Sequence, residues 1–188
     1  MNDEKIRAAF IKSYLKRVPS DVIILNEVGV SNGAAIVDIA AITENSVEGF
    51  EIKSAEDNLS RLPRQIHYYD KTFDFISIVT ESKYLDNAAK LVPDHWGIIE
   101  VIESEKGVEF SEVRSPKINK KNDKRSISLL LWKREIIAAL FNLGHRNLSS
   151  LRVGELRSIL CKYSDIEIRK ILYDHIKLRT DWKDQINL

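Results

Sequence analysis

Ala35-Ile36-Val37-Asp38-Ile39-Ala40, then Gly49-Phe50-Glu51-Ile52-Lys53-Ser54, then Arg64-Gln65-Ile66-His67-Tyr68-Tyr69 are successive pieces of one stretch, and their reading decides the fold. The first is an apolar run with one carboxylate inside it. The second ends in Glu51 and Lys53, and the third is polar with helical spacing. Apolar runs separated by Thr43-Glu44-Asn45-Ser46 predict two neighbouring strands over residues 35–42 and 47–52. An acid inside such a run is costly to bury alone, so Asp38 asks for a partner. Strand side chains alternate, which points Glu51 and Lys53 to one face and Ile52 to the other. If the two strands pair, Asp38 comes within reach of Glu51. Converging carboxylates repel, and a hard divalent cation with oxygen ligands, such as magnesium, is the usual resolution. The ammonium of Lys53 beside that ion would hold an attacking water or a phosphate oxygen. The competing reading is structural: Asp38 caps a turn, and Glu51 and Lys53 form a surface ion pair on an edge strand.

Asp38, a spacer and Glu51-Ile52-Lys53 together resemble the core of the PD-(D/E)XK nuclease superfamily. Gln65 with Tyr69 four residues later resembles the Q-x-x-x-Y element of its RecB-like branch. The longer string from Glu51 through Arg61-Leu62-Pro63-Arg64-Gln65 is similar to a group of bacterial proteins in that superfamily. A Glu-x-Lys triplet alone is unspecific, whereas an ordered set on two strands and the following helix is much rarer by chance. The resemblance implies a restriction-endonuclease-like α/β fold. It also implies a metal-dependent nuclease acting on DNA phosphodiesters, with Mg2+ or Mn2+ held by Asp38, Glu51 and the carbonyl of Ile52. Lys53 would position or activate the water, and Gln65 and Tyr69 would orient substrate or Lys53. Glu27 is a candidate third acid. Superfamily members often carry such a Glu on the first helix, whereas Glu27 lies in a strand-like run, so a solvent-facing Glu is the other reading.

Composition sets the outer limits. A chain of 188 residues, 44% hydrophobic and 30% charged, suits one domain with an appendage. A single cysteine, Cys161, leaves no internal disulfide and fits a reducing cytoplasm, where it reads as a small buried hydrophobe. No apolar run approaches a membrane span, and the first residues lack a signal-peptide pattern. A net charge of +1 is weak support for nucleic-acid binding. Lys117, Lys120 and Lys121 nevertheless fall in a basic run, residues 114–125, containing a single acid, Asp123. With Arg61 and Arg64 they are the candidate phosphate contacts, although a charge run is as readily a solvated loop. The histidines show no metal-ligand spacing, so a zinc site is not expected.

The remaining pattern predicts an α/β fold, a central mixed sheet flanked by helices, with a helical C-terminal subdomain. Ile6, Phe10 and Tyr14 mark an amphipathic first helix, residues 3–17, and residues 22–30 a strand. A helix is expected over 59–70, a strand over 75–80, a helix over 84–91, a strand over 96–102 and a half-exposed edge strand over 108–113. The expected organisation is a core over 1–114, a basic linker over 115–125 and helices beyond it, at 126–143, 153–163 and 165–180. Leu129, Trp132, Ile136 and Leu140 would give the first of these helices its apolar face. The C-terminal helices would close on the sheet, on a second copy or on a protein partner. A helix-turn-helix that turns Arg169, Lys170, Lys177 and Arg179 toward DNA is a weaker alternative. The competing function is a catalytically inactive nuclease-fold module that binds nucleic acid or protein.

Overall fold

The computed structural model describes residues 2–54, 59–105 and 107–179. The element order is α1 (Asp3–Leu15), β1 (Ile23–Val30), β2 (Ala35–Ile42), β3 (Val47–Lys53), α2 (Leu62–Thr72), β4 (Phe75–Glu81), α3 (Ser82–Leu91), β5 (Gly97–Ser104) and β6 (Gly107–Arg114). Four helices follow, α4 (Lys124–Ser128), α5 (Lys133–Asn142), α6 (Val153–Leu160) and α7 (Asp165–Lys177). Among the described residues the six strands form one sheet in sequence order, β1 to β6. Pairing is antiparallel from β1 to β3, parallel from β3 to β5, and antiparallel again at β5–β6. This is the α/β mixed sheet flanked by helices, with helices at its C-terminal end, that the sequence predicts. Residues 55–58 of the polar loop and residue 180 of the last helix lie outside the described residues.

Alternation along the strands makes two apolar layers. Ile6, Phe10 and Ile11 of α1 pack with Ile39, Phe50, Ile52, Val79 and Ile99 on one face of the sheet. On the other face, Val37, Ala40 and Ile42 join Tyr69 of α2 and Phe73, which caps that helix, and the same cluster continues into Ile136, Leu156, Ile168 and Leu172 of the C-terminal helices. Gly49 lets α2 lie close against the sheet, because a Cβ there would come within 2.8 Å of the Phe73 ring. The α2 face toward β3 is therefore held at a short, fixed distance from Glu51, two residues along the strand.

The expected continuous helix over 126–143 is corrected to α4 and α5. Its apolar period runs unbroken through Leu129 and Trp132, but Trp132 is extended, and its N–H donates to Glu135 Oε2 at 2.7 Å, which starts a new helix. The segment expected to link core and helices lies against the sheet. Asn119 is buried and donates to the carbonyls of Asp70 and Phe73, and Asn122 donates to Asp74. Asp74 also accepts from the Val47 amide at 2.8 Å and pairs with Arg169 of α7. Two of the basic residues of the helix-turn-helix alternative thus point inward: Arg169 is held by Asp74, and Arg179 by Glu135 at 2.7 Å. Cys161 is half-buried at the end of α6.

Candidate active site

Strand β1 breaks its alternation in the middle. Leu25, Val28 and Val30 all reach the α2 face, so the parity changes at Glu27, whose φ is 52°. A left-handed Glu in a strand is a strained backbone position and a hint of function. The flanking pairs, Asn26 with Ile39 and Val28 with Val37, place Glu27 opposite Asp38. Strand β2 changes parity on the same rung, with Val37 on the α2 face and Ile39 on the α1 face. The β2–β3 ladder stops at Ile39–Phe50. Beyond that pair the Asp38 side chain takes the place of a backbone acceptor: the Ile52 N–H donates to Asp38 Oδ2 at 2.7 Å. The strands part here, and a cavity of about 380 Å³ opens between them.

Glu51 and Lys53 point into this cavity from β3, and Gln65 reaches it from the first turns of α2. Glu51 is 1% exposed and Lys53 3%, which excludes the surface ion pair on an edge strand. Burial at that level demands partners, and they are present. Lys53 Nζ donates to Glu51 Oε1 at 2.6 Å, and Gln65 Nε2 donates to the same oxygen at 2.6 Å. The Tyr69 hydroxyl shares its proton between Glu51 Oε2 at 2.7 Å and the carbonyl of Ile36. Burial, and then the charge of Glu51, raise the Tyr69 pKa, so the phenol stays protonated and remains a donor. A carboxylate offers about four acceptor positions, so these three bonds leave Glu51 one for a further ligand.

Asp38 is the strained member of the pair. Burial, and next the charge of Glu51, push its carboxyl up to about 7, while the Ile52 N–H and Lys53 pull the other way. A cation bound between the two acids relieves that repulsion. Two buried oxygens on the cavity wall, Gln65 Oε1 and Asp3 Oδ1, have no hydrogen-bond partner among the described residues. The oxygen-rich donor set would suit a hard cation, for which Asp38 and Glu51 are the candidate side-chain ligands. Among the described residues, no group of three or more His, Cys, Asp or Glu side chains is arranged as a metal cluster, so a backbone carbonyl or water would have to complete the coordination.

Five sequence-predicted residues, Asp38, Glu51, Lys53, Gln65 and Tyr69, are thus brought together. Glu27 joins them at the cavity rim and bonds to Arg7 at 3.1 Å. Arg61 lines the cavity, and a second cavity beside it is walled by Gly33, Ile36, Arg61 and Arg64. Lys117, Lys120 and Lys121 are not brought to the site. Lys117 bonds through its amide to the His95 carbonyl, Asn119 to Asp74 and Lys121 to Asp70, all at the end of the sheet where β3 to β5 begin. Glu51 lies four residues further along β3 than Val47, which bonds to Asp74, or roughly 13 Å.

Two site residues escaped the sequence reading, Asp3 and Arg7 on α1. Arg7 Nη2 reaches Asp3 Oδ2 at 2.8 Å and Asp38 Oδ1 at 3.5 Å. The signal was the four-residue spacing Asp3, Arg7, Ile11, which carries a charged pair along the helix face that also buries Ile11.

Among the described residues no helix is long and apolar enough to cross a membrane. Protein cII of enterobacteria phage P4 is 28% identical over 180 residues, spanning 95% of this chain and 68% of that protein. A solved structure of a protein of unknown function from Silicibacter pomeroyi aligns with a TM-score of 0.47 at 16% identity, covering 78% of this chain and 92% of that one. The family model described as bacteriophage P4 protein cII matches residues 1–186, and the chain belongs to that family.

Proposed function

We propose that the chain is a metal-dependent nuclease hydrolysing DNA phosphodiester bonds through a PD-(D/E)XK-type site. It would act in the cytoplasm, on DNA of a phage or mobile element, in repair or in restriction. The observation that carries the proposal is the meeting of Asp38, Glu51, Lys53 and Gln65 in one cavity, with Tyr69 fixing Glu51 from behind. Asp38, Glu51 and the Ile52 carbonyl would hold Mg2+ or Mn2+. Such an ion lowers the pKa of a bound water and neutralises charge building on the phosphate. Lys53, buried and directed at Glu51, holds a water or a phosphate oxygen in line with the acids. Gln65 and Tyr69 fix the Glu51 carboxylate so that it need not reorganise during the reaction. Arg61 and Arg64, exposed along the adjoining cavity, take the flanking phosphates.

Cleavage of a DNA panel by the wild type, and by Asp38→Ala and Lys53→Ala, tests this. Cleavage is lost in both variants while far-UV circular dichroism is retained; unchanged cleavage in either removes the proposal. A second reading, a binding module without turnover, is favoured by the three bonds that already occupy Glu51. Magnesium-dependent DNA binding with no strand cleavage by the wild type would select it.

A further inference from the structure

We propose that the second cavity, walled by Gly33, Ile36, Arg61 and Arg64, is a seat for one unpaired nucleotide, so that DNA single-stranded beside the scissile bond is the substrate class. This rests on the nuclease reading above and deepens it. The seat and the active-site cavity share Ile36, Arg61 and Gln65 in their walls, so the two adjoin. A strand whose phosphate lies by Glu51 and Lys53 therefore runs on into the seat. Its volume is about 290 Å³, at the small end of the roughly 300–1,000 Å³ of ligand sites. That is room for one nucleotide, whereas a base pair held between two backbones does not enter.

The walls differ in chemistry. Gly33, Ala34, Ala35 and Ile36 form an apolar side, against which the face of a base can lie. Ile36 is 55% exposed, and its cross-strand partner is Gly29, which has no side chain to cover it. The other side, from the start of α2, carries Arg61, Arg64 and Gln65, and among the described residues no acid lines the seat. Arg64 is held over the Tyr68 ring, 5.9 Å from its centroid. A guanidinium bonds a phosphate and stacks on a base equally well. The seat is also built into the backbone. Ser31, Asn32 and Gly33 are three successive left-handed residues, with φ of 51°, 59° and 83°, and only the glycine adopts that conformation without strain. Strain of this kind gathers at functional sites. A Cβ on Gly33 would meet nothing within 4 Å, so the gap is open there. Tyr69 fastens the seat to the active site, because its hydroxyl bonds both the Ile36 carbonyl and Glu51 Oε2. Paired DNA reaches Arg61 and Arg64 through its phosphates but has to open a base pair to fill the seat, and an unpaired nucleotide is spared that cost.

The test uses the full chain with a labelled single strand and with the same strand in a matched duplex. Binding is read by fluorescence anisotropy with Ca2+ in place of Mn2+, and cleavage is read with Mn2+. The variants are Ala34→Phe, which fills the seat, and Ala34→Leu, a smaller filling in case the first does not fold. The wild type should bind and cleave the single strand at least about tenfold better than the duplex, and the ratio should fall below about threefold in either variant. Equal treatment of the two DNAs by the wild type, or an unchanged ratio in a folded variant, overturns the seat and leaves the nuclease reading standing. Preferential binding that the variants lose, with no cleavage by the wild type, upholds the seat and overturns the nuclease reading. No binding of either DNA overturns both.

Discussion

The backbone amide of Ile52 donates to Oδ2 of Asp38 at 2.7 Å, so the two carboxylates of the site are tied to one strand end, Glu51 by sequence and Asp38 by this bond. The consequence is electrostatic. With its carboxyl pushed up to about 7 by burial and by Glu51, Asp38 binds a proton more tightly folded than unfolded, where about 3.9 is usual. Its contribution to stability is therefore fullest below about pH 4 and is lost as the pH rises to about 7. Asp38→Asn in EDTA should raise the unfolding temperature at pH 8 by about 2–4 °C, the shift that roughly 1 kcal/mol makes in a chain of this size. At pH 4 it should leave the temperature unchanged. Thermal unfolding at the two pH values checks this, and an equal shift at both refutes it.

Metal uptake should carry the same signature. An ion must displace the proton on Asp38, so apparent Mn2+ affinity should climb about tenfold per pH unit toward pH 7 and level off above it. Calorimetry in buffers of different ionisation enthalpy would count close to one proton released at pH 6 and almost none at pH 8.5.

Lys53 and Glu51 are a buried pair, and losing one partner of such a pair strands the other. Lys53→Met should cost about 3–5 kcal/mol in EDTA, measured by urea unfolding. Adding Glu51→Gln to it should recover more than half of that loss, because the stranded charge is gone. Both proteins should be at least 100-fold slower in cleavage, so stability and activity part company in the double variant.

Tyr69→Phe removes the hydroxyl shared by the Ile36 carbonyl and Glu51 Oε2. About 1–2 kcal/mol of stability should go with it, and Mn2+ affinity should fall about tenfold, as when an outer partner of a metal ligand is lost. Full affinity in a destabilised variant would confine Tyr69 to packing.

Arg61 and Arg64 lie along the cavity beside the site, and each should contribute about one phosphate contact. Changing either to Ala should lessen the steepness of log affinity against log salt by about 0.9 for duplex DNA. The same change at Lys120, at the other end of the sheet, should leave the slope as it was. Fluorescence anisotropy across a salt series distinguishes the two ends.

The strands that carry Asp38 and Glu51, and the helix that carries Gln65 and Tyr69, were legible because each signal is local: apolar runs, a polar turn and a four-residue spacing. The mixed sheet flanked by helices followed from the order of those runs. Arg7 was not legible, since only the packing of α1 across β3 brings it to Asp38. The left-handed Glu27 gave no sign either, as no glycine marks the place. The break between α4 and α5 was hidden because the apolar period of Leu129, Trp132 and Ile136 continues across it, while the event that starts the second helix is a bond from the Trp132 N–H to the Glu135 carboxylate. Basic residues at 114–125 read as a solvated run, yet the asparagines among them, Asn119 and Asn122, turn inward to cap the start of β4. Charge counts carry no information about which members of a run face the sheet.

Asp74 accepts from the Val47 amide at the start of β3 and waits for Arg169, 95 residues later, to balance its charge. At about 5–20 residues per second, a ribosome needs roughly 5–20 s to make that intervening chain. During that interval β4, β5 and β6 are added one after another, while the helix that closes the apolar face and the counter-charge of the carboxylate are still missing. The nascent protein should thus depend on chaperones until α7 emerges, although every residue that lines the cleft of Asp38 and Glu51, from Asp3 to Gln65, has by then long been made.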